Sequence, residues 1–189
     1  SPDDPYRLTP EEATLIDRLT HSFVVNEKLH KHIRLMLSHG SLYTIINDNL
    51  LFHASVPLDA DGKLKDVELY SGHKFCGREL MNRIDRIIRS AFQTDTEQQE
   101  KTFAKDYFLY LWCGRDSVLF DKSKMATFER YFLKDKETYK EEKGNYFKLR
   151  DNEKVCDYIL DSFGVSGKNR HIINGHVPVH VMSGENPIK

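Results

Sequence analysis

Two histidines in this sequence have types and settings that suit chemistry. His53 lies towards the end of the β-rich run 50–54 and precedes Pro57, and His176 follows the run 171–174 and precedes Pro178. A strand fixes the backbone and a stiff turn after it exposes the side chain, so functional groups often lie at strand ends. Neutral imidazole is a common ligand of manganese, iron and zinc. A pair converging on one metal is therefore reasonable, although a hydrogen-bonded structural role is commoner for a single histidine.

The elements that must position these histidines are short strands. The β-rich runs 41–46 and 50–54, separated by the turn-forming triplet 47–49, predict a β-hairpin or two neighbouring strands. The first run is nearly all apolar, which predicts that it is covered on both faces. The closing residues 171–182 predict a strand, a sharp turn and a second strand. Gly175 in that turn would allow a tight bend and a close approach by another group.

Helices are predicted around these strands. Thr9, Pro10 and Glu12 have the pattern of a capping box, which predicts a long helix with a break near Val25 and an end at Gly40. Apolar residues at helical spacing predict further helices over about 76–92, 97–112, 122–133 and 151–163. The mixed-charge run 134–144 predicts a solvated helix end or an exposed loop.

Composition excludes several classes of protein. The 28 Lys and Arg residues nearly balance the 29 Asp and Glu residues, so no overall basic field favours nucleic acid. No apolar run is long enough to cross a membrane, and residues 1–5 do not resemble a signal peptide, which predicts a soluble cytoplasmic protein. The odd number of cysteines, Cys76, Cys113 and Cys156, without a C-x-x-C pair, predicts reduced thiols.

Three blocks of the sequence resemble, in order, the class III fructose-1,6-bisphosphatases. They are residues 49–62, which contain His53, residues 112–114 with 119–132, and residues 171–179, which contain His176. That family is similar to the calcineurin-like metallophosphoesterases, whose layered α/β core holds two metals. The resemblance implies an α/β fold class: part of a layered metallophosphoesterase-type sheet with several packed helices, incomplete in this chain. It also implies that 1–189 is one region, the C-terminal part of the catalytic core, with a helical insertion at about 76–165.

The resemblance further implies that His53 and His176 are metal ligands and that the metal is manganese. Many relatives carry a second histidine two positions after the later one, where this chain has Pro178. The family's earlier motifs, which supply the bridging carboxylate and the proposed acid, do not occur here, and Gly144-Asn145 is followed by Tyr146 rather than histidine. Catalytic and substrate-binding residues stay unassigned. Solvated or salt-bridged roles are expected for the basic residues near the blocks, Arg115, Lys122, Lys124, Lys168 and Arg170.

The implied activity is hydrolysis of fructose 1,6-bisphosphate to fructose 6-phosphate and phosphate, a step of gluconeogenesis, by water activated between two metals. For this chain alone the expectation is little or no turnover. Its expected partners are the sugar bisphosphate and the missing upstream half of the protein, and self-association is expected because a divided sheet exposes edges and apolar surface. Two alternatives stay open: a helical interaction or regulatory module, and a phosphoesterase for another sugar phosphate or a phosphoprotein.

Overall fold

The computed structural model describes residues 3–4, 6–70, 72–93 and 95–188. It is mixed α/β, with small sheets and several helices, which confirms the fold class at that level. Two compact units, Ser1–Ser41 and Leu42–Lys189, are described separately. None of the described helices is both long enough and apolar enough to span a membrane.

The first unit contains helices α1 (Pro10–Val24) and α2 (Glu27–His39). Thr9 and Glu12 form the predicted capping box, and the Asn26 side chain accepts a hydrogen bond of 2.9 Å from Leu29 N–H at the start of α2. The predicted break near Val25 is thereby confirmed. Neither helix buries a residue, and the apolar side chains of Leu15, Leu19 and Phe23 stay about half exposed.

In the part of the second unit that the structure describes, five strands form two sheets. They are β1 (Tyr43–Ile46), β2 (Asn49–Phe52), β3 (Val67–Tyr70), β4 (His73–Phe75) and β5 (His171–Asn174). β3 and β4 form a separate antiparallel hairpin that the sequence analysis does not predict. The three-stranded sheet has the order β1-β2-β5, with β1 antiparallel and β5 parallel to β2. The predicted β1-β2 hairpin is confirmed, and its turn residues Asn47 and Asp48 have positive φ, as tight hairpin turns require.

Two strand predictions are wrong. β1 is not covered on both faces, because three of its four residues are exposed, Ile46 by 55%. The second strand predicted after Gly175 is absent from the described residues; a 3-10 helix, Val181–Ser183, replaces it. There the Glu185 carboxylate accepts a hydrogen bond of 2.8 Å from the backbone N–H of His180, which favours a local turn over strand pairing.

The described residues of the second unit also form five α-helices, α3 (Gly77–Ser90), α4 (Gln98–Cys113), α5 (Thr127–Phe132), α6 (Asn145–Leu149) and α7 (Glu153–Phe163), and a further 3-10 helix, Lys136–Tyr139. α3, α4 and α7 agree with the predictions. α5 is shorter than predicted, because residues 122–123 pair with 142–143 as extended chain: Ser123 N–H donates to Glu142 O over 2.8 Å. Fully buried side chains of β2, α3 and α7 form the core, among them Leu50, Leu80, Ile84, Ile159 and Phe163.

Candidate metal centre

The parallel pairing of β2 with β5 brings the two histidines together. Phe52 and Asn174 are register partners at the carboxyl ends of these strands, so the residues that follow leave the sheet at the same edge. Gly175 N–H donates a hydrogen bond to His53 O over 2.9 Å, which extends the pairing one step beyond the strands. The two imidazole rings then lie 5.1 Å apart between centroids, with His53 Nε2 3.2 Å from His176 Nδ1.

His176 has an uncommon backbone conformation. Its φ is 63°, in the left-handed region, and Val177 N–H reaches back to Gly175 O over 2.7 Å to close a tight turn. Few residues other than glycine adopt positive φ, and such conformations cluster at functional sites. Gly175 itself has no positive φ, and a Cβ there would contact His53 O at an ordinary 3.7 Å. The backbone strain of this turn therefore lies at His176. Position 175 has room for a side-chain Cβ, so the turn does not require glycine there.

The surroundings of His176 favour its neutral form. The ring lies against Phe120, 5.8 Å between centroids, and against Phe147 at 6.4 Å. Burial lowers the pKa of His176, and the charges of His53 and Lys122 lower it further, while Glu141 opposes them. An uncharged imidazole keeps a lone pair for a metal ion.

The two imidazoles fit part of a metal shell. His176 Nε2 is buried without a hydrogen-bond partner among the described residues, a condition that usually calls for a missing ligand or water. The described residues hold no cluster of three or more His, Cys, Asp or Glu side chains able to bind a metal ion. This region can thus contribute two nitrogen ligands, and a complete site would take its oxygen ligands from elsewhere.

The basic residues near the matched blocks do not converge on a phosphate site. Lys122 Nζ pairs with Glu141 Oε2 at 3.0 Å, and Lys124 Nζ donates to Thr138 O at 2.6 Å. Arg170 is held by Asp157 at 2.8 Å and by Asp161, both in α7, and by the backbone oxygen of Val165 at 2.8 Å. Arg115 and Lys168 are exposed. The expectation of solvated or salt-bridged roles agrees with these contacts.

Sequence reasoning missed four polar residues beside the histidines. Asp121 and Ser55 are buried, and Asp121 Oδ2 and Ser55 Oγ lack hydrogen-bond partners among the described residues. Asn174 and Tyr146 hydrogen-bond to each other over 3.1 Å at the end of β5. Spacing gives no signal for the contact between Asn174 and Tyr146, because the two residues are 28 positions apart in the sequence.

Comparison with known proteins places the chain in a family. The family model for firmicute fructose-1,6-bisphosphatase matches residues 1–189. Proteins named fructose-1,6-bisphosphatase class 3 are similar: that of Phocaeicola vulgatus is 57% identical over 189 residues, and that of Parabacteroides distasonis is 55% identical over 188. In both cases the alignment covers 100% of this chain and 28% of the relative.

A clostridial relative extends this comparison. The class 3 fructose-1,6-bisphosphatase of Clostridium botulinum strain 657 is 48% identical over 187 residues, which cover 99% of this chain and 28% of the relative. No solved structure matches the chain with significance. The chain thus spans a little over a quarter of the length of these relatives. Because the family model matches its whole length, the chain belongs to the firmicute fructose-1,6-bisphosphatase family.

Proposed function

We propose that this chain is part of a longer fructose-1,6-bisphosphatase, which hydrolyses fructose 1,6-bisphosphate to fructose 6-phosphate and phosphate. In that enzyme His53 and His176 would be two ligands of a manganese centre. The observation that supports the proposal most is their juxtaposition at the shared carboxyl edge of β2 and β5, with His53 Nε2 3.2 Å from His176 Nδ1. Membership of the family supplies the reaction and the substrate.

Manganese bound there would activate water and offset the negative charge of the phosphoryl group. The chain's own contribution is to hold two imidazoles in fixed positions and to favour the neutral form of His176. The hydrophobic rings of Phe120 and Phe147 around His176 would also limit access of bulk water to one side of the centre. Two imidazoles do not hold a pair of metals, so we expect the carboxylate ligands and any acid or base to come from another part of the longer protein.

The rest of the longer protein is the partner that we propose for the apolar surface of this chain. The short helix α5 exposes Phe128, Tyr131 and Phe132, each at least 74%. Exposed aromatic clusters of this kind mark surfaces that another part of a protein covers. We further propose a cytoplasmic enzyme of gluconeogenesis, as its charged sugar-phosphate substrate suggests.

A test compares phosphate release from fructose 1,6-bisphosphate in the presence of manganese. We expect turnover by the longer enzyme and little or none by this chain. In the longer enzyme, His53→Ala and His176→Ala should each lower kcat/KM by about 100-fold or more, since each removes a metal ligand. His171→Ala is a matched control, because His171 is a nearby exposed histidine whose ring bonds Asn49. Undiminished turnover in both ligand variants would overturn the proposed metal centre.

The same assay distinguishes fructose 1,6-bisphosphate from other phosphate-ester substrates. Fructose 6-phosphate, glucose 6-phosphate and a phosphoserine peptide should each be hydrolysed far more slowly than the bisphosphate. A preference for any of these would favour a phosphoesterase with another substrate. An unchanged rate after substitution of both histidines, together with weaker binding of a partner protein after substitution of Phe128 and Tyr131, would favour the interaction module.

A further inference from the structure

A single amide side chain ties the two histidine-bearing loops together. Asn174 is the last residue of β5, and its Nδ2 donates a hydrogen bond of 3.1 Å to Ala54 O, one residue after His53. Together with the Gly175 N–H bond to His53 O, this gives two links between the loops beyond the end of the regular ladder. A loop that leaves a sheet is normally free to diverge from its neighbour, so these links fix the separation of the two imidazoles.

Tyr146 binds the oxygen end of that amide. Its hydroxyl lies 3.1 Å from Asn174 Oδ1, and the residue is 1% exposed. A carbonyl oxygen such as Ala54 O can only accept, so Nδ2 must face Ala54 and Oδ1 must face the tyrosine. Burial raises the pKa of Tyr146, so its hydroxyl keeps its proton and remains a donor.

The tyrosine is in turn held by packing. Its ring meets Phe52 edge-on, 5.5 Å between centroids, and meets Phe147 at 5.6 Å. Phe52 directly precedes His53, and Phe147 contacts the His176 ring. Tyr146 therefore contacts neighbours of both histidines, while neither it nor Asn174 contributes an atom to the imidazole pair itself.

We propose that Tyr146 and Asn174 are positioning residues that set the distance between His53 and His176, and that the affinity of the centre for manganese depends on this hydrogen-bonded pair. The inference rests on the proposed function, because it assumes that the two histidines bind the metal. Residues that orient metal ligands commonly change metal affinity by about 10–100-fold when they are altered. Neither residue is required for the chemistry after the metal has bound.

The experiment uses the longer enzyme, prepared free of metal. Its manganese dissociation constant is measured from the electron paramagnetic resonance signal of free Mn²⁺, and kcat is measured at saturating manganese. Tyr146→Phe removes one hydroxyl and keeps the ring packing, and Asn174→Asp keeps the shape but places an oxygen against Ala54 O. We expect the dissociation constant to rise about 10-fold or more in each variant, with kcat at saturating metal recovering to within about twofold.

Tyr139→Phe provides the matched control. The Tyr139 hydroxyl also donates to a carbonyl oxygen, here the backbone oxygen of Leu133, and its ring lies against Arg130 rather than against either histidine. We expect its manganese affinity to equal that of the unaltered enzyme. An unchanged dissociation constant in Tyr146→Phe and Asn174→Asp would overturn the inference, as would an equal change in Tyr139→Phe.

The histidine variants separate this inference from the proposed function. If His53→Ala and His176→Ala weaken manganese binding while Tyr146→Phe and Asn174→Asp do not, only the positioning role fails. If manganese binding is the same in all four variants, the metal centre itself is wrong and the positioning role fails with it.

Discussion

Asp121 combines two conditions that rarely occur in one aspartate. Its side chain is 2% exposed with Oδ2 unpartnered among the described residues, and its backbone φ of 49° lies in the left-handed region. Burial raises the pKa of the Asp121 carboxyl, and the negative charge of Asp116 raises it further. The nearby Ser55 hydroxyl lowers this pKa in part, although Ser55 Oγ does not meet the geometry of a hydrogen bond. The cations of Lys65 and Arg115 act in the opposite direction. The carboxylate form is therefore less stable inside this fold than in the unfolded chain.

Asp121→Asn should stabilise this chain at neutral pH. The amide has the same shape, tolerates positive φ and carries no charge to desolvate. A carboxyl whose pKa is raised by folding destabilises the fold as pH rises, so the advantage of the variant should grow from about pH 4 to a plateau of about 1–3 kcal/mol. Urea unfolding of the chain at several pH values measures it.

Asp116→Asn is the comparison for this prediction. Asp116 also has positive φ, but its carboxylate pairs with Lys65 Nζ at 2.7 Å, so the amide should bring no gain at pH 7. A loss of stability in Asp121→Asn at pH 7 would mean that the buried carboxylate has a partner in solution. The groups that face Asp121 and titrate or carry charge are Asp116, Lys65, Arg115 and Tyr110.

Sequence reasoning reached the histidines but not the residues around them. His53 and His176 stand out because a strand and a proline flank each of them, and both cues are local. Asn174, Tyr146 and Asp121 have no local cue, because their roles arise from contacts with residues far along the chain. The metal-binding role of His53 and His176 remains a prediction, whereas the juxtaposition of their two rings is a feature of the structure.

One glutamate makes two of the hydrogen bonds that hold the segment containing α5. Glu141 Oε1 accepts from Ala126 N–H at 3.0 Å, and Glu141 Oε2 accepts from Lys122 Nζ at 3.0 Å. Burial alone would raise the pKa of Glu141, but these hydrogen bonds and the charges of Lys122 and Arg130 outweigh it, so the pKa is lowered. The run 134–144 was predicted to be solvated, but its residue Glu141 is hydrogen-bonded to Lys122 and Ala126 of the facing segment.

Glu141→Gln should loosen residues 122–142 while the remainder of the second unit stays folded. Loss of charge-assisted hydrogen bonds of this kind costs about 1–3 kcal/mol. Hydrogen exchange followed by mass spectrometry should show faster exchange in 122–142 above about pH 5, where the carboxylate is ionised. Because the folded pKa is lowered, the stabilisation is present above the unfolded pKa and is lost as pH falls through the folded pKa.

The neighbouring exposed residue gives the control, since Glu142→Gln removes the same charge without these contacts and should not change exchange. Equal exchange in both variants would show that Glu141 does not hold the segment.

The secondary-structure predictions succeeded where the apolar periodicity extended over several helical turns. α3, α4 and α7 each carry several turns of apolar periodicity, and that signal does not depend on what the helix packs against. The prediction for the surroundings of β1 failed, because an apolar run of four residues cannot indicate whether other elements cover its two faces. α5 was predicted too long because the pairing of 122–123 with 142–143 is a contact across the chain.

At the scale of the whole molecule, much apolar surface remains uncovered. Phe128, Tyr131 and Phe132 are exposed on α5, and Trp112 is 68% exposed on α4. The family relatives are more than three times as long as this chain, since it covers 28% of each. We expect the additional part of the longer enzyme to cover the aromatic residues of α5.

Hydroxyl-radical footprinting tests this expectation. Phe128, Tyr131 and Phe132 should be oxidised several-fold more slowly in the longer enzyme than in this chain. Tyr146 serves as an internal reference, because it is buried within the second unit itself and should react slowly in both. Equal oxidation of the α5 aromatics in both proteins would leave self-association, measured by sedimentation of this chain, as the competing explanation for the surface.

The parallel pairing of β2 with β5 also sets a condition on biosynthesis. His53 and His176 are 123 positions apart, so their meeting closes a large loop, at an entropic cost of about 4 kcal/mol beyond a constant term. The helices between them are local structures that can form as the polypeptide leaves the ribosome. The edge of β2 that pairs with β5 stays unpaired until β5 has emerged, and only then can the two imidazoles come together. Translation that stops before residue 171 would therefore release a product with much of its helical structure and no paired histidines.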